Sequence, residues 1–176
     1  MASIIKVSNL NYCYPDGTIG LNDVSFDVKE GETLVIIGAN GTGKSTLFLN
    51  LIGILEGSGN IEVMGLALNK NNLKKIRKIM GMVFQSPDEQ LFCPTVMDDV
   101  TFGPLNLGWS NDLVIKASEK ALELVGLEGF GTRTSYHLSF GEKKRAAIAT
   151  VLSMEPRILL LDEPTSGLDP RSTSMF

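Results

Sequence analysis

A glycine-punctuated run ending in a lysine and two hydroxyls, Gly38-Ala39-Asn40-Gly41-Thr42-Gly43-Lys44-Ser45-Thr46, has the residue types needed to hold phosphate. It matches G-x-x-x-x-G-K-[ST], in which backbone N–H groups wrap the phosphates, the lysine reaches the terminal ones and the hydroxyl ligates Mg²⁺. The glycines let backbone approach a ligand, and a helix opening at the end of the run adds unpaired N–H donors and partial positive charge. A second pair, Asp162-Glu163, closes an apolar run at 157–161 and is followed by Pro164, which prevents simple continuation. Ligands of open α/β sheets bind at that end of a strand. There Asp162 would hold Mg²⁺, directly or through water, and Glu163 would orient or deprotonate an attacking water. Taken alone, the glycine loop leaves kinases, GTPases and ATPases all open.

These groups require particular elements around them. Thr33 to Ile37 is a short, nearly continuous apolar run that suits a buried parallel strand, and Ser45 to Leu51 is apolar at helical spacing, with Gly53 as its stop. Ahead of them, Ser3 to Asn9 and Val24 to Val28 read as strands flanking the turn signal Pro15-Asp16-Gly17, an antiparallel β portion. Tyr12 and Tyr14 beside that turn read as aromatic packing on the hairpin. Downstream, Ile61 to Leu68 reads as a strand, Asn71 or Asn72 as the cap of a short basic helix through Lys78, and Met80 to Phe84 as a strand ending at Gln85. A glutamine at a strand end can reach a metal or water, although a surface amide is commoner.

The segment from Ser86 to Pro104 is punctuated by Pro and Gly yet carries Leu91, Phe92, Val96, Val100 and Phe102. That is unusually apolar for a loop, and suits either partner docking or a satellite core under a helical insertion. Asn111 to Val125 is an amphipathic helix with Leu113, Ala117, Ala121, Leu124 and Val125 along one side and Gly126 as its stop. Ser139-Phe140-Gly141-Glu142 has capping-box spacing and opens a helix to about Ser153. Lys143, Lys144 and Arg145 fall in its first turn, where the helix dipole disfavours them, so an anion near this end would relieve a local conflict. His137, the only histidine, reads as a turn or packing residue in preference to a catalytic one.

The 176 residues, 43% hydrophobic and 20% charged, are those of a globular α/β chain with one core. A net charge of −4 gives no electrostatic reason to expect nucleic acid as a partner. No apolar stretch approaches a membrane span and no signal-peptide pattern opens the chain, so a cytosolic location is expected. Cys13 and Cys93 lack metal-ligand spacing and read as reduced thiols.

Taken together, these segments resemble the nucleotide-binding subunit of ATP-binding cassette (ABC) transporters. Gly38 to Ser45 is similar to the family's Walker A, Gln85 to its Q-loop, Leu138 to Glu142 to its signature, Asp162 and Glu163 to its Walker B pair, and Ser166-Gly167-Leu168-Asp169 to its D-loop. Within the family, Val83 to Phe92, Phe102 to Gly108, and His137-Leu138-Ser139 with Gly141 to Arg145 resemble the ATPases of cobalt/nickel importers and of energy-coupling-factor vitamin importers. The resemblance implies an α/β P-loop NTPase fold with a RecA-like core sheet, an N-terminal antiparallel β portion and a helical, signature-bearing insertion at about 86–153, all within one nucleotide-binding domain over 1–176. It implies ATP and Mg²⁺ as ligands, Tyr14 as the adenine-stacking aromatic, Ser45, Asp162 and Gln85 at the metal, and Glu163 with Gln85 in hydrolysis. It also implies a second ATPase subunit, paired head to tail so that Ser139, Phe140, Gly141 and Glu142 of one chain face the γ-phosphate held by Lys44 of the other. An integral membrane subunit would dock near Gln85 to Phe102, placing the chain peripherally on the cytoplasmic side of the membrane.

Two departures from the family pattern stand out. Phe140 replaces a glycine of the commonest signature, and the chain ends at Phe176, before the family's switch histidine and a strand between the Walker A and Walker B strands. A partial sequence is expected on this basis, with a gap or substituted neighbour in the core sheet, a tendency to aggregate and poor ATP hydrolysis. A cassette ATPase without a membrane partner, or a nucleotide-binding fragment with little hydrolysis, are the alternatives.

Overall fold

The computed structural model describes residues 3–167, and the chain divides into two compact units between Arg77 and Lys78. In the first unit, β1 (Ser3–Cys13) and β2 (Ile19–Lys29) form an antiparallel hairpin. The turn closes as expected: Tyr14 N–H donates to the Thr18 carbonyl at 2.8 Å and Gly17 N–H to the Tyr14 carbonyl at 2.9 Å. Gly17 has φ 88°, which a β-carbon disfavours. β3 (Ser58–Val63) pairs antiparallel with the other edge of β1, and β4 (Leu66–Ala67) completes the order β2-β1-β3-β4. Ile5, Val7, Leu10, Leu21 and Val63 are buried in this unit.

Helix α1 (Lys44–Leu51) follows the glycine loop and buries Leu47, Asn50 and Leu51. It stops where expected, with Gly53 at φ 64°. Helix α2 (Leu73–Ile79) comes next.

Three expectations for this part of the chain are corrected. Residues 33–37 do not form a strand, and Val35 and Ile37 are 71% and 91% exposed. Their β propensity is high, but no strand among the described residues pairs with them, and an apolar run without ladder partners leaves its backbone to water. The run 61–68 is a hairpin and not a single strand: Val63 pairs with Leu66 across a two-residue turn in which Met64 and Gly65 have φ 49° and 78°. Positive φ at both central positions is the turn that matches strand twist. Ahead of α2, the capping side chain is that of Asn69, whose Oδ1 accepts from the N–H groups of Asn71 and Asn72 at 3.0 and 3.1 Å.

In the second unit, β5 (Met80–Val83) and β6 (Ile158–Leu161) run parallel, Met80 opposite Ile158 and Val83 opposite Leu161. Helices α3 (Val96–Asn106), α4 (Asn111–Leu124) and α5 (Phe140–Leu152) lie between them in sequence. Their core gathers Val96, Val100, Ala121, Leu122, Ala146 and Ala149. Helix α5 also packs on β5, where a β-carbon on Gly81 would stand 2.3 Å from Val151 Cγ1.

Leu91, Val96 and Val100 thus serve as core, while Phe92 and Phe102 are 64% and 48% exposed. Helix α3 runs through Gly103-Pro104 to Asn106, so these residues do not end it. Helix α4 has the expected bounds but a different inner face: Val114, Ser118, Ala121 and Leu122 are buried, and Leu113 and Leu124 are exposed. Two apolar stripes of comparable helical spacing lie side by side on this helix, and the α3–α5 core takes the one that begins at Val114.

Candidate functional site

The glycine loop of the first unit is shaped by two residues in the left-handed region, Gly41 at φ 82° and Gly43 at φ 93°. A β-carbon on Gly43 would stand 2.3 Å from the Gly20 carbonyl oxygen, so this glycine is required by contact as well as by conformation. Thr42 Oγ1 donates to the Ala39 carbonyl at 2.9 Å, and Leu47 N–H donates to the Gly43 carbonyl at 2.8 Å, opening α1. Lys44 Nζ donates to the carbonyls of Gly38 and Ala39, both at 3.0 Å, which stations the ammonium across the loop. Gly38, Ala39, Asn40, Gly41, Thr42, Gly43, Lys44 and Ser45 therefore lie on one continuous loop and first helical turn.

Thr46 points elsewhere. It is buried, and its Oγ1 is 2.7 Å from the Tyr14 hydroxyl. Tyr14 stands edge-on to Tyr12 at 4.9 Å between centroids. The aromatic named for adenine stacking is thus anchored by its hydroxyl to the helix that opens from the loop.

In the second unit the acidic pair sits where a buried strand would deliver it. Asp162 N–H extends the β5–β6 ladder by donating to the Val83 carbonyl at 3.0 Å, and Asp162 is 4% exposed. Glu163 then turns the chain with φ 46°, a left-handed conformation for a residue with a β-carbon. Its carboxylate accepts from Gln85 Nε2 at 2.8 Å, although 78 residues separate them in sequence. Parallel pairing puts the C-terminal ends of β5 and β6 side by side, and each strand delivers one of these groups.

Ser139 caps α5 as the sequence indicates. Glu142 N–H donates to Ser139 Oγ at 3.3 Å, and the Glu142 carboxylate accepts from Ser139 N–H and Oγ, both at 2.7 Å. The Ser139 hydroxyl, then its backbone N–H, hold the Glu142 carboxyl below the usual range. Phe140 and Gly141 are in the helix itself. The Phe140 ring abuts Gly167, where an added β-carbon would be 2.7 Å from Cε1. Asp169 lies outside the described residues.

Two of the three basic residues in the first turn of α5 find partners within the chain. Lys143 Nζ is 2.6 Å from Asp88 Oδ1. Lys144, fully buried, donates through Nζ to the Glu163 carbonyl at 2.8 Å. Burial pushes its ammonium below the ordinary range, and the charges of Glu163 and Asp162 oppose that. Arg145 carries a buried Nε with no hydrogen-bond partner among the described residues.

Sequence reasoning missed Lys144 as a contact of Glu163, yet a signal was present: Lys144 shares helical spacing with the buried Ala147, Ile148 and Val151. It also missed Gln90, whose Nε2 donates to the Ala147 carbonyl and to Thr150 Oγ1, both at 2.7 Å, while its Oε1 accepts from Phe84 N–H. Gln90 thereby ties the backbone just before Gln85 to α5.

For a divalent cation, the second unit offers the side-chain oxygens of Asp162, a buried carboxylate at a strand end, and of Gln85, and the first unit separately offers the Ser45 hydroxyl. Among the described residues no group of three or more His, Cys, Asp or Glu could enclose a metal. Few hard protein ligands, leaving room for water and phosphate oxygens, is the donor set Mg²⁺ takes.

The ABC transporter family model matches residues 21–166. The energy-coupling factor transporter ATP-binding protein EcfA of Methanosphaera stadtmanae is 50% identical over 99% of this chain and 64% of its own length. A putative ABC transporter ATP-binding protein of Geobacter sulfurreducens is 51% identical over 95% of this chain and 68% of its own. Among solved structures, cbiO1 of Clostridium perfringens, described as part of the ABC transporter complex cbiONQ, aligns with a TM-score of 0.86 and 45% identity, covering 99% of this chain and 70% of that one. The ATP-binding cassette MJ0796, solved as a dimer bound to ADP and Pi, aligns with a TM-score of 0.85 at 29% identity over 97% of this chain and 78% of that one. The chain spans about 64% of the length of curated relatives such as EcfA.

Proposed function

The chain belongs to the ABC transporter family of ATP-binding proteins, and on that premise we propose that it binds and hydrolyses ATP to energise an importer of the energy-coupling-factor type, carrying cobalt or nickel ions or a vitamin. The single observation that carries the hydrolytic part is the Gln85–Glu163 bond of 2.8 Å beside buried Asp162. It aims a carboxylate and an amide at one point at the C-terminal end of a parallel pair, where a water can be held.

The loop N–H groups and Lys44 bind and orient the phosphates, and Tyr14 stacks on the adenine. Glu163, with Gln85 donating to it, orients the attacking water in line with the γ-phosphorus or takes its proton. Ser45, Asp162 and Gln85 would hold Mg²⁺, which when bound offsets phosphate charge. Ser139, Phe140, Gly141, Glu142 and Asp169 are assigned to the contact with a second ATPase subunit. Phe92 and Phe102, an exposed aromatic pair with ring centroids 5.1 Å apart, support a membrane subunit docking on the 85–102 segment. Among the described residues no helix is long and apolar enough to cross a membrane; membership of the family supports a peripheral position on the cytoplasmic side.

The test is Glu163→Gln in the whole protein. ATP binding is expected to persist while turnover falls by about 10²–10³-fold, the range for losing a base and its charge. Lys44→Ala should instead weaken nucleotide binding itself. Unchanged turnover in Glu163→Gln removes Glu163 from the mechanism.

A further inference from the structure

Lys144 is fully buried on α5, one turn past Phe140, and among the described residues donates to a single group, the Glu163 carbonyl at 2.8 Å. That carbonyl also accepts from Ser166 N–H at 3.0 Å, so Lys144 is not needed to satisfy it. Burying an ammonium is costly, and an apolar side chain of the same length would fill the space without that cost. The charge therefore sits where packing does not ask for it. What it touches is the backbone of Glu163, a residue in the left-handed region whose carboxylate meets Gln85 at 2.8 Å. A second contact braces the same turn: the Phe140 ring abuts Gly167, and Lys144 Nζ lies 5.8 Å from the centre of that ring.

We propose that Lys144 is a positioning residue for hydrolysis: by gripping the Glu163 carbonyl from α5 it fixes the backbone from which Glu163 presents its carboxylate to Gln85, while Phe140 braces the turn at Gly167. The first turn of α5 and the hydrolytic carboxylate then move as one piece within the chain. The inference rests on the reading of Glu163 as the group that handles the attacking water.

The experiment measures steady-state ATPase kinetics and nucleotide binding for Lys144→Met and Lys144→Arg in the whole protein, each in wild-type and Glu163→Gln backgrounds. Lys144→Met is expected to lower kcat by about 10–100-fold, the scale of a misplaced catalytic group, with KM for MgATP within about twofold. Lys144→Arg, which keeps a donor, regains most of kcat. In the Glu163→Gln background, Lys144→Met changes the residual rate by less than about twofold, because the group it positions has already gone. An equal fold loss in both backgrounds, or a raised KM with kcat kept, overturns the proposal. If Lys144→Met does not fold by circular dichroism, Lys144→Gln is judged by the same criteria, and loss of fold in both overturns it, since a structural role then suffices. Full turnover in Glu163→Gln removes the premise as well. An inactive Glu163→Gln beside a fully active Lys144→Met removes only the role of Lys144.

Discussion

Replacing Gly43 by alanine tests whether the phosphate loop works by its exact backbone path, and the structure sets the magnitude. At φ 93° the new β-carbon lies 2.3 Å from the Gly20 carbonyl oxygen on β2, against about 3.0–3.4 Å for the tightest tolerable contact. The oxygen belongs to backbone held in a hairpin and cannot rotate away, so the loop must retreat by about 1 Å. Displacement on that scale costs about 10²-fold where oriented groups act together, equivalent to about 2.7 kcal/mol of phosphate binding. Gly41 supplies the control. It too has positive φ, 82°, but a β-carbon there meets nothing within 4 Å. Gly41→Ala should cost the left-handed penalty of about 1–2 kcal/mol without displacing the loop from β2. It should therefore lower Tm by about 2–8 °C at this chain length and weaken MgATP binding less than Gly43→Ala does. Calorimetric titration with MgATP, paired with thermal melts, separates the two. If Gly43→Ala binds MgATP within about twofold of wild type, or if both variants lose binding equally, the contact with Gly20 is not what the loop depends on.

Three further outcomes follow from the second unit. The Glu142 carboxyl is held below its ordinary value by Ser139, so its stabilisation is present above the ordinary glutamate range and is lost as pH falls through the lowered folded value. Glu142→Ala should lower Tm by about 1–3 °C at pH 7, a modest figure because the carboxylate is partly screened by solvent; the gap should close on acidification, and a pH-independent gap contradicts this. The Cys93 thiol is pushed up to about 11 by burial and then by Asp99, whereas Cys13 is exposed. A thiol reagent at pH 8 should label Cys13 about 10²-fold faster than Cys93, with Asp99→Asn narrowing the difference; equal rates refute it. Phe92→Asp combined with Phe102→Asp should abolish co-purification with the membrane subunit while leaving MgATP binding intact; retained capture would move the docking surface elsewhere.

How far the sequence carried depended on whether a residue's role was local. Gly53 ends α1 and Ser139 caps α5 because a left-handed stop and a hydroxyl three residues before a glutamate act within one turn of helix. Asp162 was legible for a similar reason, since an apolar run ending in acid and then proline admits few other readings. Residues 33–37 failed because a strand is made by its neighbours, and no periodicity in the run itself supplies a ladder partner. Met64 concealed the 61–68 hairpin, since a methionine at φ 49° sends no turn signal and Gly65 alone reads as a strand glycine. On α4, Leu113 and Val114 begin rival apolar stripes about 100° apart, and only the shape of the α3–α5 core selects the second.

Phe140 shows how a departure from a motif can be mistaken for a loss. Read as a sequence, a phenylalanine in place of a signature glycine threatens the backbone there. Yet Phe140 and Gly141 are both helical, following a Ser139 cap whose φ of −62° any residue adopts, so no left-handed glycine is called for at either position. The side chain instead gains a use at the other end of its reach, against Gly167, where only a glycine leaves room for the ring. Gly167 and Phe140 thus form a size-matched pair across the turn that begins at Glu163, and Lys144 holds the near end of that turn by its carbonyl. Substituting either member alone should disturb Glu163 more than the α5 cap, because the cap is closed by Ser139 and Glu142 independently of the ring.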